Sequence, residues 1–209
     1  LAQPRPDSEE TVRLLDRAAR GDSAAVNDLL ACHRNAVCAF IGARLDPAVR
    51  ARVDASDVAQ DALAETARRL PDYLARRPMP FHLWVRKTAL ERLLNARRDQ
   101  RAACRDVCRE AIAPDESSLA LARSLICPGP SPSQAVEARE LADRVAAGVA
   151  ALPDTDREIL ALRLVDELPY EEIGCLLDIE SPAARQRFGR ALLRLQKTLG
   201  VGVLLGDSS

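Results

Sequence analysis

Arg185 and Gln186 stand side by side near the start of a segment with helical periodicity. An Arg fork pairs bidentately with the major-groove edge of guanine and a Gln amide with that of adenine, so this pair has the chemistry to read duplex DNA. Arg187, Arg190, Arg194 and Lys197 surround it with donors suited to phosphates. A second group carries the opposite charge: Asp54, Asp57, Asp61 and Glu65 fall along one helical stripe, with Gln60 beside them. Each like-charged pair at that spacing costs roughly 0.2–0.5 kcal/mol, and a basic partner laid across the stripe removes the penalty. A third group, Arg86, Lys87, Arg92, Asn95, Arg97, Arg98, Arg101 and Arg105, concentrates positive charge on one helical segment, as a nucleic-acid surface requires. Trp84 in that segment fits either a stacking platform for an unpaired base or a core position. No HExxH, GxSxG or Gly-rich phosphate loop occurs, and there are two histidines in all. The reading is therefore of a binding protein, with no enzymatic activity and no cofactor or metal.

The DNA-reading pair needs a scaffold, and the residues before it supply one. Ile173, Leu176 and Leu177 lie at helical spacing, and Ile179 is placed to plug the core from a turn. Asp178 tolerates the left-handed backbone of such a turn, Glu180 or Ser181 caps the next helix, and Pro182 falls near its first position, where no N–H is needed. The second helix is expected to bury Phe188, Leu192, Leu195 and Leu199. The stretch from Leu168 to Phe188 thus reads as a helix-turn-helix.

The rest of the chain follows the same helical grammar. Aromatics are 3% of 209 residues, and hydrophobic and charged residues are 47% and 29%, a composition for helix interfaces of Leu and Ala. The fold class is all-α. A first helix over 8–20 has Ser8 as cap and a stripe of Val12, Leu15 and Ala19; a long second one runs from Ser23 to about Leu45 with His33 on its apolar face. Asp46-Pro47 opens a short helix, and another spans about Ser56 to Leu70. Pro71 and the Arg76-Arg77-Pro78-Met79-Pro80 run form a loop, after which Pro80 starts a helix with Phe81, Trp84, Val85, Thr88, Ala89, Leu93 and Ala96 inward. Residues 110–134, ending in a Pro-rich run, read as a linker between two small helical domains, 8–109 and 135–200. A flexible coil of that length spans ~25–30 Å. Ser131 with Gln134, and Thr155 with Glu158, are the capping boxes of the second domain. The six cysteines form no CxxC pair and are expected to be buried thiols. The N-terminus lacks the apolar core of a signal peptide and no run is long enough to span a bilayer, which points to a cytoplasmic protein without membrane insertion.

Taken in order, these segments resemble a bacterial RNA polymerase sigma factor of the two-domain extracytoplasmic-function group. Asp57-Val58-Ala59-Gln60-Asp61 is similar to the family's core-binding motif, the segment from Phe81 through Trp84, Val85, Ala89, Asn95 and Arg98 resembles its promoter-melting helix, and Leu152-Pro153, Arg157-Glu158 and Tyr170-Glu171-Glu172-Ile173 resemble region 4. The chain departs from the family at Asp178, usually Gly, at Ala183-Ala184, often Thr-Val, and at Glu91, usually Asn. The resemblance implies that Asp57, Gln60 and Asp61 bind core polymerase. It implies that Arg76, Arg77, Trp84, Arg86, Lys87, Asn95 and Arg98 meet the −10 element, and that Ser181, Arg185, Gln186, Arg187 and Arg190 meet the −35 element. Core RNA polymerase and promoter DNA are the implied partners, with an anti-sigma factor as a further one. A free-standing helix-turn-helix regulator acting without polymerase is the alternative, and it leaves the first domain without a role.

Overall fold

A computed structural model describes residues 4–44, 54–104, 118, 121–122 and 132–200. Among them are eight helices: α1 (Glu9–Ala19), α2 (Ser23–Gly42), α3 (Ala55–Arg76), α4 (Phe81–Cys104), α5 (Pro132–Ala150), α6 (Asp154–Leu164), α7 (Tyr170–Leu177) and α8 (Ser181–Leu199). No strand occurs among the described residues. The chain divides into two compact units, Leu1–Arg109 with Cys175–Asp178, and Glu110–Gly174 with Ile179–Ser209.

In the first unit short polar residues set where the helices start. The Ser8 hydroxyl accepts the Thr11 N–H at 3.2 Å, and the Asp22 carboxylate accepts those of Ala24 and Ala25 at 3.0 and 3.1 Å. Each such cap is worth about 1 kcal/mol. Asp22 also receives the Arg17 guanidinium at 2.7 Å, closing the α1–α2 corner. α1 packs on α2, and α2 and α3 both pack on α4. The core between them contains Leu29, Ile41, Val58, Leu70, Phe81, Leu83 and Leu93, each almost wholly buried. A buried Leu, Ile or Phe contributes roughly 1.5–3 kcal/mol, so this apolar seam dominates the unit's stability.

In the second unit α8 packs across α6 and α5. Val145, Val149, Ile159, Leu162, Leu168, Ile173, Ala184, Ala191 and Leu195 fill the core. Arg163 steadies the turn before α7 by donating to the Leu168 carbonyl at 2.9 Å.

Several expectations are corrected. The inward stripe of α1 is Thr11, Leu14, Leu15 and Ala18, while Val12 and Ala19 are exposed, because the helix is rotated so that its two adjacent leucines share the core. Pro71 does not end α3: the helix runs on to Arg76, with Leu70 and Tyr73 buried on either side of the proline. Tertiary burial there outweighs the lost backbone bond of a mid-helix proline. α6 starts two residues early, with Pro153 at its cap position and no side-chain cap, so Thr155 lies inside the helix and Glu158 is buried. Within the expected linker, Ser118, Leu121 and Ala122 are helical and buried, which a flexible coil would not be. α8 buries Ala184, Ala191 and Leu195, leaving Phe188, Leu192 and Leu199 at the margin, since two alanines let the backbone approach closely. Cys32 is exposed, and Cys38 and Cys175 are partly so. The short helix at Asp46-Pro47, the Ser131 cap and the tail beyond Gly200 lie outside the described residues.

Candidate nucleic-acid and protein-binding surfaces

The acidic stripe of α3 is not one surface. Asp54 sits at the cap position, its carboxylate accepting the Ser56 N–H at 3.0 Å. Glu65, at the other end, is held by Arg68 and by Arg92 of α4, whose guanidinium lies 2.7 Å away. The Arg68 hydrogen bonds, opposed by desolvation and aided by the charges of Arg68 and Arg92, keep the Glu65 carboxyl below the usual carboxylate range. The two ends of the stripe are therefore used inside the protein. Asp57, Gln60 and Asp61 remain, all exposed, on the outer face of a helix whose inner face holds Val58, Ala59 and Ala62. That leaves two carboxylates four residues apart flanking an amide, a short acidic patch fitted to a basic partner.

The basic segment of α4 is likewise divided. Arg92 is committed to Glu65, and at the neighbouring position Glu91 receives Arg69 at 3.2 Å. Arg86 lies over the Phe40 ring at 5.5 Å, with Lys87 next to it in the second turn. Asn95 and Arg98 are exposed one turn apart, the Arg98 guanidinium donating to the Asn95 carbonyl oxygen. Trp84 is 7% exposed and lies in an aromatic cluster, its ring 4.7 Å from Tyr73 and 5.7 Å from Phe81. It is a core residue and offers no face to an unpaired base, which corrects its assignment to the −10 surface. Arg105 lies outside the described residues.

Between α3 and α4, Arg76 at the end of α3 and Arg77 at the start of the loop of residues 77–80 are both exposed. Arg77 has φ +38°, left-handed for a non-glycine residue, and its guanidinium meets Asp16 of α1 at 2.9 Å. The Tyr73 hydroxyl donates to the Met79 carbonyl at 2.9 Å. Burial, with the Asp7 charge adding to it and Arg77 opposing, pushes that phenol up to about 12.

The helix-turn-helix is built from local contacts. Asp178 takes φ +53°, as the turn requires. A Cβ on Gly174 would stand 2.6 Å from the Ile179 carbonyl oxygen, so the close approach of turn and helix depends on glycine there. Glu180 holds the cap position without a side-chain bond, and Ser181 instead donates to Glu171 of α7 at 3.2 Å. Tyr170 lies beneath the recognition face: the Arg185 guanidinium is 5.3 Å from its ring and that of Arg163 5.0 Å, while Phe188 meets it edge-on. Arg185, Gln186 and Arg190 are exposed and Arg187 is partly so, on the face opposite Ala184, Ala191 and Leu195. Arg194, expected on the phosphate-binding side, pairs with buried Asp156 of α6 and serves the core of the unit. Sequence reasoning missed this pair, the Tyr170 stack and the contacts of Asp7, since each joins residues with no shared motif.

Comparison with known proteins gives concordant matches. The family described as "Sigma-70, region 4" matches residues 142–195, from α5 into α8. The chain is 32% identical to the ECF RNA polymerase sigma factor ShbA of Streptomyces griseus, over 91% of this chain and 96% of that protein. It is also 32% identical to the ECF RNA polymerase sigma factor SigD of Mycobacterium tuberculosis, over 91% and 82% respectively. Among solved structures, "Structure of CnrH in complex with the cytosolic domain of CnrY" matches with a TM-score of 0.56 at 22% identity, covering 91% of this chain and 97% of that one, and establishes likeness of fold.

Proposed function

The chain belongs to the extracytoplasmic-function group of RNA polymerase sigma factors, and from that premise we propose how its surfaces divide the work of binding core polymerase and directing it to promoters. Asp57, Gln60 and Asp61 dock on a basic surface of the polymerase. Arg76, Arg77, Arg86, Lys87, Asn95 and Arg98 meet the −10 element, capturing bases as they leave the stack, a step whose unstacking cost of a few kcal/mol is offset by phosphate and pocket contacts. Arg185 and Gln186 read base edges of the −35 duplex, while Ser181, Arg187 and Arg190 meet its backbone. Catalysis resides in the polymerase. No helix among the described residues is long and apolar enough to cross a membrane. An anti-sigma factor is a further partner in this reading. It is supported by the fold shared with a sigma factor whose solved structure contains the cytosolic domain of another protein.

The observation that carries the docking assignment is the separation within the α3 stripe: Asp54 and Glu65 are satisfied internally, and Asp57 and Asp61 are exposed between them. Charge reversal of both, Asp57→Arg with Asp61→Arg, is expected to abolish co-elution with core polymerase on gel filtration while helicity and −35 duplex binding stay unchanged. Co-elution at wild-type affinity would show that the patch is not the docking site.

A further inference from the structure

The loop of residues 77–80 is exposed yet tied down from several directions, and most of the ties come from outside it. Its own α3 supplies two, the Arg77 N–H to the Tyr73 carbonyl at 2.7 Å and the Tyr73 hydroxyl to Met79. The segment at the start of the chain supplies the rest. Asp16 takes the Arg77 guanidinium. Asp7 takes the first N–H groups of α4: one carboxylate oxygen accepts from Phe81 at 2.6 Å, and the other from His82 N–H at 3.0 Å and meets the His82 ring Nδ1 at 2.8 Å. Asp7 is thus the cap of a helix that begins 74 residues further along the chain.

The ties on this exposed loop are each worth only about a cap or a surface ion pair, and Arg77 takes a left-handed backbone where it ends α3. A strained non-glycine residue persists only where its surroundings over-determine it, and such over-determination is characteristic of binding loops held ready for a ligand. Holding the loop in advance removes the entropy that an otherwise free loop would lose on binding. We infer that Asp7, together with Asp16, is a positioning residue that braces loop 77–80 and the first turn of α4 in the shape that receives the −10 strand. The inference rests on the assignment of Arg76 and α4 to that strand. The Asp7 carboxylate is suited to bracing because its charge is favoured where it sits. Burial acts to raise its pKa, but the His82 ring, the two backbone N–H groups and the His82 charge together hold it below the usual carboxylate value.

The test uses holoenzyme reconstituted with the full chain and a promoter fragment selected from random DNA by the wild-type holoenzyme. Melting is read as permanganate reactivity of unpaired thymines, beside core co-elution, affinity for the −35 duplex alone, and far-UV helicity. Asp7→Ala is expected to reduce melting about five- to tenfold, the equivalent of one lost cap, with the other three readouts unchanged. Asp7→Asn, which keeps one acceptor oxygen, should recover part of the loss. Asp16→Ala, an exposed change with no risk to folding, should reduce melting about twofold, in line with a surface ion pair. Arg76→Ala run in parallel separates the layers. If it lowers melting while Asp7→Ala and Asp16→Ala do not, the brace is wrong and the strand assignment stands. If Arg76→Ala is also without effect, the strand assignment fails and the brace with it. Equal losses of helicity, core binding and melting in Asp7→Ala, with full melting in Asp16→Ala, would mark Asp7 as a folding residue and overturn the inference.

Discussion

The two candidate DNA-binding regions are held in shape by contacts of different range. The helix-turn-helix is fixed by neighbours: Gly174 against Ile179, Glu171 with Ser181, Tyr170 beneath Arg185. The loop and helix of the first unit are fixed from afar, by Asp7 on Phe81, Asp16 on Arg77 and Glu65 on Arg92. The difference matters for how each fails. A local turn is closed by sterics within a few residues, so one misplaced atom destroys it. A surface braced by dispersed polar ties loses one tie at a time, each worth about a cap or a surface ion pair.

The sharpest way to break the local region is Gly174→Val. The new Cβ would start 2.6 Å from a backbone oxygen, which cannot swing aside as the end of a flexible side chain could. A loss of about 2–4 kcal/mol is expected in urea unfolding followed by a probe in the second unit, with −35 binding lost in proportion. Unchanged stability would mean that the turn tolerates a side chain and the argument from close approach is wrong.

A smaller effect distinguishes reading from holding within α8. Arg185→Ala or Gln186→Ala is expected to cost ~1–3 kcal/mol on the preferred −35 sequence and to relax discrimination at one base pair. Arg190→Ala should weaken all sequences alike and reduce the salt dependence by about one counterion. Titrations on matched and mismatched duplexes at several salt concentrations decide between them, and equal losses with unchanged specificity would overturn the proposed orientation of α8.

The smallest expected effect concerns His33, whose ring packs edge-on against Phe81 at 5.2 Å in the long-range core. Burial, opposed by the Asp7 charge and reinforced by that of His82, lowers its pKa below the ordinary 6.5. The unfolded chain therefore binds this proton more readily than the folded one, and His33 makes stability fall as pH drops below about 6.5 until the folded-state pKa is reached. His33→Gln should flatten that part of the stability–pH curve. Asp7 works at lower pH and in the same direction: its depressed pKa gives stability that is present above the ordinary 3.8 and lost as pH falls through the folded value. A curve with unchanged slope between pH 5 and 7 in the His33 variant would show that the ring does not titrate differently on folding.

The sequence by itself determined the helical class, the helix-turn-helix with its left-handed Asp178, the exposed Arg185 and Gln186, and the division of charge between α3 and α4. These are features of periodicity and of side chains acting within a turn or two, where local chemistry decides the outcome. Tertiary structure alone decided which of the like-charged neighbours are free. Asp61 and Glu65 look alike in sequence, but Glu65 is taken by Arg92 of α4 while Asp61 stays exposed; Arg92 and Arg98 look alike, but only Arg92 has Glu65 across the helix interface. It also decided that Trp84 belongs to the core, that Pro71 leaves α3 unbroken, and that Asp7 caps α4. In each case the deciding group comes from a different helix or a distant segment, and the energy of burying or pairing it outweighs any preference that the residue expresses among its own neighbours.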